Sequence, residues 1–132
     1  MAARILIVDD DADLRSSLAY ILGSLFEVQE AADGAAALDI LKMDRHALML
    51  LDVSMPGMSG LEVLEAAKVL NPALIVVMLT SQQDIDIAAK ALNLGAAEYV
   101  TKPFDAAYIR AEVALLTGKP DKPNARPWKV VP

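Results

Sequence analysis

Short apolar runs alternate with segments of helical periodicity five times along this chain, and that rhythm restricts the fold more than any other feature. The runs that read as strands cover residues 4–8, 26–31, 48–51, 74–79 and 98–101. Between and after them, apolar residues recur at the 3.6-residue spacing of a helix. The pattern predicts an α/β domain whose five parallel strands carry helices on both faces.

Reactive side chains fall where the predicted strands end. Asp9 and Asp10 follow the first strand, Asp52 ends the third, Thr80 ends the fourth and Lys102 follows the fifth. In the flavodoxin-like, doubly wound strand order 2-1-3-4-5, strands 1, 3, 4 and 5 are neighbours, and ligands bind beyond their carboxyl ends. We therefore expect these five side chains to converge on one cleft.

Composition excludes other classes of protein. The net charge of −6 and the pI of about 4.6 argue against direct nucleic-acid binding. The absence of cysteine rules out thiolate metal sites and disulfides, which agrees with a cytoplasmic location. No apolar stretch approaches the ~20 residues that a membrane span needs, so we expect no membrane association.

Two parts of the chain differ in composition. Residues 1–117 are expected to form the domain, and residues 118–132 form a Pro-rich tail or a truncated linker. This last stretch holds the only tryptophan, Trp128, and a buried tryptophan removes roughly 150–250 Å² from water. The sequence thus suggests the hypothesis that Trp128 packs on a surface of its own domain or of a neighbouring chain.

Four motifs in matching order and spacing resemble the receiver domains of two-component response regulators. They are VDDD at 8–11, LLDVSMPGMSG at 50–60, MLTS at 78–81 and YVTKPF at 99–104. The resemblance covers residues from about 3 to 117. It implies a phosphorylation-activated signalling switch that takes a phosphoryl group onto Asp52 from a sensor histidine kinase or a histidine phosphotransfer protein. Such a protein is an acceptor with slow autodephosphorylation, not a turnover enzyme.

The resemblance also implies an Mg²⁺ cofactor. Its expected ligands are Asp10, Asp52 and the backbone carbonyl of Ser54, with Asp9 acting through water. Three carboxylates in one cleft repel each other, and a hard cation with oxygen ligands would relieve that repulsion.

Further roles follow from the same resemblance. Lys102 and Thr80 would bind the phosphoryl group, Thr80 and Tyr99 would act as the switch, and the Lys102–Pro103 bond would be cis. The change would reach a surface made by the fourth helix, fifth strand and fifth helix, which controls a downstream effector or output domain. A phosphorylation-dependent homodimer is a further expected partner.

Alternatives remain at this stage. The nearest is a receiver-like interaction module that is never phosphorylated, although such modules usually lack an acid, the Thr or the Lys that this chain keeps. A phosphatase with an aspartyl nucleophile would need a second acid where Ser54 stands, and an FMN carrier would need a Ser/Thr- and Gly-rich loop where 9–11 is acidic. Asp11 is expected to be a plain helix cap and His46 a surface residue.

Overall fold

The computed structural model describes residues 3–119, so the predictions made for 120–132, including Trp128, lie outside the described residues. Strands and helices alternate through this part of the chain. They are β1 (Arg4–Val8), α1 (Ala12–Leu22), β2 (Glu27–Ala31), α2 (Gly34–Met43), β3 (Leu48–Asp52), α3 (Gly60–Leu70), β4 (Ile75–Thr80), a short 3₁₀ turn (Gln82–Asp84), α4 (Ile85–Asn93), β5 (Glu98–Thr101) and α5 (Ala106–Thr117).

The five strands form one parallel sheet in the order β2-β1-β3-β4-β5, which confirms the predicted fold. β3 lies at the centre and is buried along its whole length. Continuous burial explains the unbroken apolar run at 48–51, because helices cover both faces of this strand.

Alternate residues of the central strands supply two cores. Leu6, Val8, Met49 and Leu51 pack with α2, α3 and α4 on one side, and Ile5, Ile7, Leu48 and Leu50 pack with α1 and α5 on the other. Fully burying one such side chain stabilises the fold by about 1.5–3 kcal/mol. The sheet is thereby fixed as a rigid platform under its carboxyl edge.

Helix caps hold the loops that leave this edge. Asp11 caps α1 by accepting hydrogen bonds from the backbone N–H groups of Asp13 and Leu14, as expected for a plain cap. Ser59 and Glu62 form a reciprocal capping box at the start of α3. Among the described residues, none of the helices combines the length and apolarity needed to cross a membrane.

The expectation that His46 is a surface residue is wrong. His46 is only 4% exposed. Its Nε2 lies 2.6 Å from Oε1 of Gln29 on β2, and its Nδ1 lies 3.3 Å from the Asp44 carbonyl oxygen. Burial lowers the pKa of His46. The residue is therefore a buried polar link between β2 and the approach to β3.

Candidate functional site

The carboxyl edge of the sheet brings the predicted acidic residues together. Asp9 and Asp10 leave the end of β1, and Asp52 is the last residue of the adjacent β3. One oxygen from each carboxylate lies within 4.8 Å of the other two. Asp9 and Asp52 are buried, at 0% and 6% exposure, while Asp10 is exposed.

Asp9 is held by donors from both sides. Its Oδ1 accepts a hydrogen bond of 2.9 Å from the backbone N–H of Asp11, and its Oδ2 accepts one of 2.8 Å from Nζ of Lys102. A fully buried carboxylate needs such partners, because an unpaired charge there would be costly. Asp9 is therefore a fixed acid behind the more open Asp10 and Asp52.

Lys102 links two of the carboxylates. Its Nζ is 2.8 Å from Oδ2 of Asp9 and 3.6 Å from Oδ1 of Asp52. Burial acts to lower the pKa of Lys102, but the hydrogen bond to Asp9 and the charges of Asp52 and Asp9 outweigh burial and raise the pKa. The ammonium group is thus kept charged inside the cleft. The Lys102–Pro103 peptide bond is cis.

Asp52 has an unusual environment for a carboxyl group. Burial and the charge of Asp9 raise the pKa of Asp52 to about 6, although Lys102 and the N–H of Ser54, which donates to Oδ1 at 3.2 Å, act in the opposite direction. Lys102 and the Ser54 N–H therefore offset only part of the effect of burial and of the neighbouring carboxylates on Asp52.

The donor set suits a hard divalent cation. All three side chains offer carboxylate oxygens, and such ions bind through one or two carboxylates while keeping waters. Both oxygens of Asp9 already have partners, whereas Asp10 is open to solvent. This division fits an ion held directly by Asp10 and Asp52, with Asp9 behind them.

The two expected switch residues lie on neighbouring strands. Thr80 ends β4 and is buried, and its hydroxyl donates a 3.0 Å hydrogen bond to the Ser81 carbonyl rather than to an acid of the cluster. Tyr99 pairs in register with Met78 and is partly buried against the core beside α2, α3 and α4. The structure thus places Thr80 at the carboxyl edge and Tyr99 on β5, next to α4.

Two further positions shape the cleft, and sequence reasoning missed the first of them, Arg15. Nη1 of Arg15 donates a 2.6 Å hydrogen bond to the Asp9 carbonyl, and its Nε is 3.3 Å from Oε1 of Glu30, so Arg15 ties the acidic loop to β2. At Gly60, a Cβ atom would lie 2.8 Å from the carbonyl oxygens of Asp52 and Val53. Only glycine allows α3 to start this close to the end of β3. The hydrogen bond from Arg15 to a backbone oxygen leaves no signal in the sequence.

Comparison with known proteins identifies a family that matches most of the chain. A family model described as the response regulator receiver domain matches residues 5–114. Sporulation initiation phosphotransferase F of Bacillus subtilis is 37% identical over 114 residues, which cover 86% of this chain and 92% of the relative.

One longer relative and one solved structure are similar to the chain over the same region. Transcriptional regulatory protein FixJ of Azorhizobium caulinodans is 38% identical over 115 residues, which cover 86% of this chain and 54% of FixJ. The chain therefore spans about half the length of that relative. The crystal structure of a CheY-like response regulator receiver domain protein from Methanospirillum hungatei superposes with a TM-score of 0.85 at 31% identity, covering 89% of this chain and 95% of the other.

Proposed function

The chain belongs to the response regulator receiver domain family, and from that premise we propose that Asp52 is the residue that accepts the phosphoryl group. Homology to response regulators makes the domain a phosphorylation-controlled signalling switch. The observation that carries the proposal for Asp52 is its position at the end of the central strand, nearly buried and within 4.8 Å of Asp9 and Asp10.

The transfer step requires little beyond correct placement. A carboxylate oxygen of Asp52 forms a bond to phosphorus while the bond from phosphorus to the donor breaks, and the donor keeps the electron pair of that bond. An ionised carboxylate is itself the nucleophile, so no general base is needed. The Lys102 ammonium, 3.6 Å from Oδ1 of Asp52, stabilises negative charge on the transferred oxygens.

Mg²⁺ is part of the proposal. Asp10, Asp52 and the backbone carbonyl of Ser54 would hold the ion, with Asp9 behind. When bound, Mg²⁺ supplies positive charge beside the phosphoryl oxygens. The support is the all-oxygen donor set of Asp9, Asp10 and Asp52.

The output of the switch is assigned to α4, β5 and α5. Thr80 would turn its hydroxyl from the Ser81 carbonyl to the phosphoryl group, and Tyr99 on β5 would change its side-chain position.

The phosphoryl donor would be a histidine kinase or a histidine phosphotransfer protein in the cytoplasm. The phosphorylated domain would pass the signal to a downstream effector or output domain. It would also be able to form a homodimer that depends on phosphorylation. The chain would act as an acceptor with slow autodephosphorylation and not as a turnover enzyme.

Incubation with Mg²⁺ and a small acyl phosphate tests the acceptor. We expect intact-mass spectrometry to find one phosphoryl adduct on the full chain, and none on Asp52→Asn. Asp39→Asn, an identical change at an exposed position on α2, is the matched control and should label normally. Labelling of Asp52→Asn to the same extent would refute the assignment, and absence of labelling in the unaltered chain would favour the interaction module that is never phosphorylated.

A further inference from the structure

An exposed apolar corner lies at the opposite end of the sheet from Asp52. Met43, the last residue of α2, is 82% exposed; Leu70, the last residue of α3, is 43% exposed, and its neighbour Val69 is 82% exposed. These are unusually open positions for large apolar side chains that end two packed helices. We call Met43, Val69 and Leu70, with the cations described next, the α2–α3 corner.

The same corner carries two exposed cations. Lys42 and Arg45 are exposed, and neither forms an ion pair with any of residues 3–119. The one acid between them in sequence, Asp44, forms an ion pair with Arg4 (Oδ1 to Nη1, 3.5 Å) and accepts a hydrogen bond from Gln29. Asp44 therefore pairs with Arg4 and not with Lys42 or Arg45. In a chain of net charge −6, a corner with unpaired cations stands out.

A cavity gives the corner a shape that a side chain can enter. It has a volume of about 340 Å³, and its walls are the two helix ends. The lining residues are Leu41, Lys42, Met43, Asp44, Arg45, Leu70 and Asn71. The volume is at the lower end of what ligand pockets offer, which suits an anchor side chain better than a whole small molecule.

We propose that the α2–α3 corner binds an acidic amphipathic segment of a partner protein, with an apolar anchor in the cavity and carboxylates at Lys42 and Arg45. The positive charge of Lys42 and Arg45 favours an acidic partner over a second copy of the chain or residues 120–132. An isologous contact with a second copy would place Lys42 and Arg45 against themselves. Residues 120–132 hold three cations and one acid, so their charge does not complement that of Lys42 and Arg45.

The position of the corner sets a further property. It lies at the amino ends of β3 and β4, about one strand length, or ~17 Å, from the acidic cluster at their carboxyl ends. The proposed contact is therefore a tether that does not depend on phosphorylation. A test of this contact can therefore fail or succeed independently of a test of Asp52 as the phosphoryl acceptor.

The test uses the full ¹⁵N-labelled chain and two peptides: an amphipathic helical peptide of Leu and Glu, and the same peptide with Lys in place of Glu. We expect the Glu peptide to shift amide signals at 41–45 and 69–71 with saturation. Lys42→Glu combined with Arg45→Glu should weaken binding about tenfold, because two attractions become repulsions. Lys90→Glu, the matched reversal on α4, and Asp52→Asn should leave the affinity unchanged.

Four results of the peptide experiment would overturn the proposal: absence of saturable binding, equal binding of the Lys peptide, shifts centred on another face, and insensitivity to the double reversal. Two further results would overturn it by assigning the corner to another occupant. Contacts between the Trp128 ring and the Met43 methyl group would assign the corner to the chain's own end. Signals at the corner that move with protein concentration would assign it to a second copy.

Discussion

At the scale of single residues, the site depends on one cation among three carboxylates. Lys102 is 2.8 Å from the buried Asp9 and 3.6 Å from Asp52, so it neutralises the acid that solvent cannot reach. Asp10, by contrast, is exposed. The residues that look equivalent in the run 9–11 therefore differ in their surroundings: Asp9 is a fixed, buried acid, Asp10 is an exposed carboxylate, and Asp11 is a helix cap.

Replacing Lys102 should destabilise the fold as well as slow phosphorylation. In Lys102→Gln the Asp9 carboxylate keeps its burial but loses its charge partner. We expect the free energy of unfolding in urea to fall by about 1–3 kcal/mol, less than for a fully buried pair because Lys102 is partly exposed. Lys90→Gln, an exposed lysine on α4, should change it by less than about 0.5 kcal/mol. Equal stability of the Lys102 variant would show that Asp9 does not depend on this lysine.

Asp10 should matter for the ion more than for the fold. Its carboxylate is exposed, so Asp10→Ala should leave stability close to that of the parent chain. We expect Mg²⁺ affinity, measured by calorimetry, to drop by about tenfold or more, together with the rate of phosphorylation. Asp13→Ala, an exposed acid on α1, is the control. Unchanged Mg²⁺ affinity in Asp10→Ala would contradict the proposed ligand set.

At the scale of elements, β5 and α5 meet through two acids. Glu98 on β5 lies beside Glu112 on α5. Burial, the hydrogen bond with Glu112 and the charge of Glu112 raise the pKa of Glu98 to about 7. A raised carboxyl pKa means that the native state holds a proton that the unfolded chain releases. Stability from this pair is therefore present at low pH and is lost as pH rises from about 4.5 to 7.

Removing one of these acids should flatten that pH dependence. For Glu112→Gln, we expect the free energy of unfolding at pH 8 to exceed that of the parent by about 1 kcal/mol, since partial exposure reduces the effect. Near pH 4.5 the two proteins should be nearly equal in stability. Glu65→Gln on α3 is the control. A stability difference that does not change between these pH values would show that the two carboxylates do not share a proton.

The sequence predicted most elements because each is coded locally. β3 and β4 are nearly continuous apolar runs, and the predicted cap Asp11 stands beside the residues that it caps. The strand order and the ligand roles came from the family motifs, because periodicity alone does not order strands. His46 was misplaced since its burial depends on Gln29, a partner 17 residues earlier, and Arg15 was missed since it binds a backbone oxygen.

At the scale of the whole molecule, the rigid sheet separates two regions of different charge. The acidic cleft lies at the carboxyl ends of β1 and β3, and the α2–α3 corner lies at the amino ends of β3 and β4. α5 ends at Thr117. Two statements stay predictions: the division of the chain into 1–117 and 118–132, and the packing of Trp128. A switch in the cleft would change the surface formed by α4, β5 and α5, while the inner strands of the sheet keep their places.

The most direct measurement of the central claim is an amide shift map of the full chain with Mg²⁺, with and without fluoroberyllate as a phosphoryl mimic. We predict changes at Asp52 and Thr80 that extend through Tyr99 to Lys90 and the rest of α4, with 41–45 unmoved. The same addition to Asp52→Asn should change nothing. Shifts confined to the cleft, or the full response in Asp52→Asn, would contradict a phosphorylation switch centred on Asp52.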